Sequence, residues 1–393
     1  MMRIGKAISS DLERFNIHIA EGVLDDLKYR LDHVRWPDQL EDAAWQRGTE
    51  KNYLQSLVSY WREHYDWRAQ EAELNRFSQF CCTVNGINVH FVHERGNGPN
   101  PLPIILTHGW PDSFIRYKKI IPLLADPARH GGDPNDAFDV IVPSLPGFGF
   151  SGKPKVGGVN NFTISELWAK LMTEELGYKK FAAGGGDMGS GVTRYLAATR
   201  PELLVGIHLT DIGIIRQLMT AQNEAALSKE ELEYKTNAQK WIAQEGGYIS
   251  LQSTKPQTLA YGLSDSPAGL AAWIIEKFRA WSDCNEELDR KFGNDELLTN
   301  IMIYWVTNTI GPSAHRYFEN THSLPPLGRI DVPTGVALFP SDVLLPPKEW
   351  AEKNLNISRW TQMPRGGHFA AMEEPELLAE DIRAFYRHLR TKI

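Results

Sequence analysis

Cysteine is scarce in this chain: Cys81, Cys82 and Cys284 are the only three in 393 residues, an odd number with no disulfide-like spacing. A stapled secreted scaffold is excluded, and a reducing, intracellular setting fits. The adjacent Cys81 and Cys82 lie on a strand-like segment, where thiols act as small packing residues. Basic charge is also short. Lys and Arg number 42 against 49 Asp and Glu, a formal net charge of -7, and no basic cluster stands out. Nucleic acid and anionic membrane surfaces are poor partners for such a chain, because phosphate binding is driven by Lys and Arg releasing counterions. No long apolar run occurs in the opening MMRIGKAISSDLERF, so neither a signal peptide nor a membrane anchor is read there, and a cytoplasmic location is expected. Internal repeats and low-complexity tracts are missing too. What is present, 42% hydrophobic and 23% charged residues, is the composition of a globular enzyme with ample material for a core.

Residues up to about Arg95 read as a helical arm followed by a hairpin. Apolar residues recur at helical spacing at Val23, Leu24, Leu27 and Leu31, and again at Tyr53, Leu54, Leu57, Val58 and Trp61, with Arg35-Trp36-Pro37-Asp38 breaking the pattern between them. FCCTVNGINVHFVHERG then alternates around Asn85-Gly86, a pair that strongly favours a tight hairpin. From Leu102, short apolar runs (PIILT, FDVIVP, FAA, LVGIHL) alternate with helical stretches, the mark of parallel strands buried on both faces. Strand signals vanish between 214 and 327, where helical segments rich in Ala, Leu, Glu and Trp take over. They return as TGVALFP and ISRWTQMP, and an amphipathic helix starts near Pro375. The class is α/β: a mostly parallel sheet flanked by helices and interrupted by a helical lid, the layout of an α/β-hydrolase fold. The expected division is 1-95 for the arm and hairpin, 96-213 for the first part of the core, 214-327 for the lid and 328-393 for the second part of the core.

Gly184-Gly185-Gly186-Asp187-Met188-Gly189 falls between the strand FAA and a helix expected from near Ser190. A sharp strand-to-helix turn needs small neighbours because strand and helix approach closely, so Asp187 occupies a nucleophile elbow where serine is usual. No G-x-S-x-G occurs anywhere in the chain. The segment also matches G-x-G-x-x-G, with Asp211 ending the next strand as a dinucleotide site would want. Against that reading, the Asp187 carboxylate would stand where a pyrophosphate must meet helix amides. His108-Gly109-Trp110-Pro111 follows PIILT directly, so the amides of Trp110 and Met188 are candidates for one oxyanion hole. The stretch Pro143 to Ser151 reads as loop architecture. His368 stands between the last strand and the last helix, and Asp342, in FPSD, follows the preceding strand. The order nucleophile, acid, histidine is the one this fold uses, whereas Asp331 precedes its strand and lies at the wrong end of the sheet.

An Asp of ordinary pKa is already ionised at neutral pH and needs no base to attack. Attack on carbon gives an alkyl ester, and His368, oriented by Asp342, is then free to activate water against it. The substrate must carry a leaving group on carbon: epoxides, alkyl halides and fluoroacetate-like acids all qualify. Neither a cofactor nor a metal is required. A non-catalytic binding protein would show a broken triad, and all three members are present.

The chain resembles the microsomal-type epoxide hydrolases, with their fungal, juvenile hormone and mammalian members, over nearly its whole length. The matching stretches are Arg35-Trp36-Pro37, Tyr60-Trp61 and Tyr65-Asp66-Trp67-Arg68 in the arm; HGWP, GGGDMGSG, FPSD and GGHFAAMEEPE in the core; and GGYISLQSTKPQTLAYGL and IMIYWVTNTIGPSAHRYFEN in the lid. The resemblance implies conversion of epoxides to vicinal diols, with Tyr248 and Tyr317 hydrogen-bonding the epoxide oxygen; Tyr261 and Tyr304 are the substitutes for that role. It also implies a cis peptide at Trp110-Pro111, an epoxide and water as partners, and a place in detoxification or aromatic hydrocarbon catabolism; the Trp- and Phe-rich lid points to an apolar pocket and so to lipophilic or aryl epoxides. A homodimer stays open. Met188 departs from the tryptophan that mammalian members carry after the nucleophile, and no counterpart of their membrane anchor is read. A haloalkane dehalogenase would share the elbow, the histidine and the ester, but would hold a departing halide with nitrogen donors rather than phenols.

Overall fold

The structure, a computed structural model, describes residues 12-213 and 227-390. The first eleven residues and the junction at 214-226, on which the leader and lid-boundary expectations fall, lie outside them. Among the described residues one nine-stranded sheet runs in the order β1-β2-β3-β5-β4-β6-β7-β8-β9. The strands are β1 (Glu13–Arg14), β2 (Gln79–Val84), β3 (Ile87–Glu94), β4 (Leu102–Thr107), β5 (Phe138–Pro143), β6 (Phe181–Gly185), β7 (Leu204–Leu209), β8 (Ile330–Leu338) and β9 (Leu355–Gln362). From β5 to β9 every pairing is parallel, while β1, β2 and β3 form an antiparallel extension that joins at β5. The hairpin turns at Asn85 (φ 48°) and Gly86 (φ 77°), both in the left-handed region that a two-residue turn matched to strand twist requires. The two-residue β1, pairing Glu13 with Cys81, is too short to leave a periodic signal and does not appear in the sequence pattern. None of the three cysteines is in a disulfide.

Helices α1 (Glu21–Asp32), α2 (Lys51–Glu63) and α3 (Trp67–Leu74) form the arm. On α2 the residues Leu54, Leu57, Val58 and Trp61 are buried, at roughly 1.5–3 kcal/mol apiece for the larger ones. The arm rests on the lid: Thr49 donates to Ala272 O at 2.7 Å, and the Tyr65 and Thr299 hydroxyls lie 3.1 Å apart. Core helices α4 (Ile120–Ala125), α5 (Asn161–Lys170) and α6 (Met188–Thr199) precede the lid, which comprises α7 (Lys229–Glu245), α8 (Gly247–Thr254), α9 (Pro256–Asp265), α10 (Pro267–Trp281), α11 (Asn294–Thr307) and α12 (Ile310–His322). The chain returns to the core through α13 (Lys348–Asn354), α14 (Ala370–Glu373) and α15 (Pro375–Arg387). None of the described helices is long and apolar enough to cross a membrane.

Candidate active site

The elbow is set by how tightly β6 meets α6. Asp187 has φ 54° and ψ -126°, a strained conformation for a non-glycine residue, and α6 begins at once with Met188, two residues earlier than the sequence spacing suggests. The early start turns the first free amides of the helix toward the Asp187 side chain. Gly189 packs against β4 so closely that a Cβ there would lie 1.9 Å from Thr107 O. We expect Gly189→Ala to push α6 off the sheet, costing about 3 kcal/mol; a urea titration with the denaturation midpoint unmoved would contradict this.

The Asp187 carboxylate accepts from the Trp110 amide at 2.8 Å through Oδ1, and from the Met188 amide. The Trp110-Pro111 bond is cis. Around it the loop is fixed by side chains that periodicity does not reveal. Asp112 accepts the Gly109 amide at 2.8 Å and pairs with Arg116, both fully buried, and Arg116 Nη2 reaches His368 O at 2.6 Å. From α11, Asn300 donates to Pro111 O at 2.7 Å and Tyr304 to Asp112 O at 2.6 Å. Burial works against the Asp112 charge, yet Arg116 and His108 outweigh it and hold its pKa down to about 2.

His368 Nδ1 lies 2.8 Å from Asp342 Oδ1, and its Nε2 has no hydrogen-bond partner and stands 3.7 Å from Asp187 Oδ2. Burial disfavours the imidazolium, but Asp342 and Asp187 together push the His368 pKa up to about 9. Burial moves Asp187 the other way, toward the neutral acid, opposed by His368 and the two amides. Asp211 accepts the Asp187 amide at 2.5 Å; burial, then Asp342 and Asp187, raise its pKa to about 6. Its carboxylate is therefore engaged at the elbow, which leaves it no ribose-binding role.

Tyr248, at the start of α8, and Tyr317, on α12, face the same cavity of about 340 Å³ as Asp187, Asp342 and His368. Tyr248 stacks on Trp110 with ring centres 5.3 Å apart, and Tyr317 meets both rings edge-on. Burial, with the Asp187 charge adding to it, raises both phenols well above their ordinary pKa. The two substitutes are elsewhere: Tyr261 is 72% exposed and Tyr304 spends its hydroxyl on Asp112 O. Asp331 lies at the opposite end of β8 from Asp342. Trp241, Ile242, Ile249, Trp281 and Leu344 supply most of the apolar wall.

A parallel sheet, a lid and an Asp-bearing elbow facing a histidine–carboxylate pair define an α/β-hydrolase. Residues 12–117 match the family described as epoxide hydrolase N terminus, and residues 103–241 match the alpha/beta hydrolase fold. A protein of Stigmatella aurantiaca is 45% identical over 96% of this chain and 85% of its own length. Epoxide hydrolase 1 of Sus scrofa is 38% identical over 98% of this chain and 90% of its own. The structure of Aspergillus niger epoxide hydrolase superposes with a TM-score of 0.85 at 29% identity, covering 97% of each chain. The chain belongs to the microsomal-type epoxide hydrolase family, and the enzyme is an epoxide hydrolase.

Proposed function

We propose that the enzyme opens lipophilic epoxides to vicinal diols in two covalent steps on Asp187. The observation that carries this reading is the unpartnered His368 Nε2, 3.7 Å from a carboxylate whose other oxygen already rests on the Trp110 amide. At rest the pair is carboxylate and imidazolium. In the first step an Asp187 oxygen bonds to an epoxide carbon as the C–O bond of the ring breaks. The departing oxygen takes its proton through the phenols of Tyr248 and Tyr317, which burial keeps protonated at neutral pH. Esterification also removes the Asp187 charge, one of the two that hold the His368 pKa up. His368 therefore yields its proton to solvent, which returns one to the phenols.

Neutral His368 then takes a proton from water, and the hydroxide attacks the ester carbonyl. The oxyanion forms where the Trp110 and Met188 amides converge, and such donors are worth about 2.7–4 kcal/mol each. Collapse expels the diol oxygen, which takes the proton from His368, and the new Asp187 carboxyl returns one to it. Carboxylate and imidazolium are thereby restored, so protons balance over the cycle.

A single turnover in heavy-oxygen water tests the scheme. The first diol should carry no solvent oxygen while the peptide containing Asp187 gains one label. Label in that first diol, with an unlabelled peptide, would mean direct attack by water and would overturn it. The apolar wall favours aryl and long-chain epoxides over small polar ones, a preference to be read from diol formation across such a panel.

A further inference from the structure

Asp283 follows α10 where the lid chain crosses the two loops that carry Asp342 and His368. Its carboxylate divides between them: Oδ1 accepts the Ser341 hydroxyl at 3.0 Å, beside Asp342, and Oδ2 accepts the Gly366 amide at 2.9 Å. The loops also touch directly, the Ser341 amide donating to Gly366 O at 3.0 Å. The Asp283 amide donates to Glu373 Oε2 at 2.7 Å, and the same oxygen accepts the Gly367 amide at 3.0 Å. Glu373 Oε1 takes the Phe369 amide at 2.9 Å, and the His368 amide reaches Trp281 O at 2.8 Å. Every amide from Gly366 to Phe369 is thus spent on the lid chain or on a carboxylate bound to it. The approach is close enough that a Cβ on Gly367 would lie 2.6 Å from Trp281 O. The Gly366 amide and the Ser341 hydroxyl hold the Asp283 carboxyl below its usual range against burial, so a charged acceptor sits at this junction.

We infer that Asp283 is a positioning residue for ester hydrolysis: it fixes the spacing of the acid and histidine loops and so keeps His368 Nδ1 2.8 Å from Asp342 Oδ1. It lines no part of the cavity that holds Asp187 and acts only through these loops. The inference rests on the two-step reading above. The lid on this view serves both steps, with Tyr248 and Tyr317 for ring opening and its Asp283 end for the water step.

The test is pre-steady-state turnover of styrene oxide by full-length Asp283→Asn, with the alkyl-enzyme followed by intact-protein mass spectrometry. An amide cannot accept from both loops as the carboxylate does. Displacement of a catalytic group by a fraction of an ångström costs about 10- to 100-fold, so ester hydrolysis should slow by that factor while alkylation stays within about twofold. In steady state kcat and KM should fall together and kcat/KM should hold, a split that simple loss of folded enzyme does not produce. If Asp283→Asn does not fold, Ser341→Ala, which removes the bond to the acid loop alone, should show the same split at smaller size. Wild-type hydrolysis per active site, or equal slowing of both steps, would overturn the inference. Absence of any adduct in the unaltered enzyme would overturn the two-step reading beneath it, an outcome distinct from the others.

Discussion

His368→Gln should alkylate and then stop. The substitution removes the group proposed to take a proton from water, whose Nε2 is unpartnered and stands 3.7 Å from Asp187 Oδ2. Loss of a general base costs about 10²–10⁴-fold, so the adduct, one substrate mass heavier than the protein, should accumulate and persist for many turnover times. The nucleophile remains, although the imidazolium that favours its charge is lost; because burial raises the Asp187 pKa, alkylation in the variant should fall off at a higher pH than in the unaltered enzyme as the solution is acidified. In the unaltered enzyme both steps should need a deprotonated group, but with different pKa values. Alkylation needs ionised Asp187 and is lost as pH falls through its pKa. Hydrolysis needs neutral His368 and is also lost as pH falls, but through the lower pKa that this histidine has once the Asp187 charge is gone. Asp187→Asn imitates that neutral state: with one of the two carboxylates that push it up to about 9 neutralised, its His368 should titrate lower than in the unaltered enzyme, as NMR of the imidazole would read. An unchanged or higher value there would contradict the charge switch.

The positions proposed to carry the chemistry were legible in the sequence where a local rule fixed them. Asp187 is marked by glycines that a close strand–helix approach requires, and Asp342 and His368 by their places after successive strands. The hairpin is marked by Asn85-Gly86, whose left-handed conformations need those residue types. What the sequence hid is what long-range contact decides. Arg116 and the His368 carbonyl it binds are 252 residues apart, and Asn300 reaches Pro111 O across 189; neither position has a periodicity or spacing to announce it. Asp211 had a signal, but one that pointed to a dinucleotide. Its actual direction follows from the β6–β7 register, which sets Gly185 beside Leu209 and so brings Asp211 to the Asp187 amide. Tyr248 and Tyr317 are singled out among 13 tyrosines by resemblance alone, since nothing local separates a cavity-facing phenol on a lid helix from a packing one.

Tyr248→Phe with Tyr317→Phe should fail one step earlier than His368→Gln. Both rings would keep their contacts with Trp110, and a phenol-to-phenyl change conserves core volume, so the melting temperature should hold within a few degrees. The departing oxygen would be left to develop negative charge in a cavity that already holds the carboxylates Asp187, Asp211 and Asp342. Removing a single donor of this kind costs about 10²–10³-fold. Either variant alone should therefore retain slow alkylation through the remaining phenol, while the pair should lose about 10³-fold or more, short of the product of the singles because the two phenols are coupled to each other. No adduct should appear in the double variant on the timescale that saturates His368→Gln. Combining all three substitutions should also give none, because the block at ring opening precedes the block at hydrolysis. Normal diol formation by the double variant, or rapid adduct formation in the triple, would mean that some other group receives the epoxide oxygen.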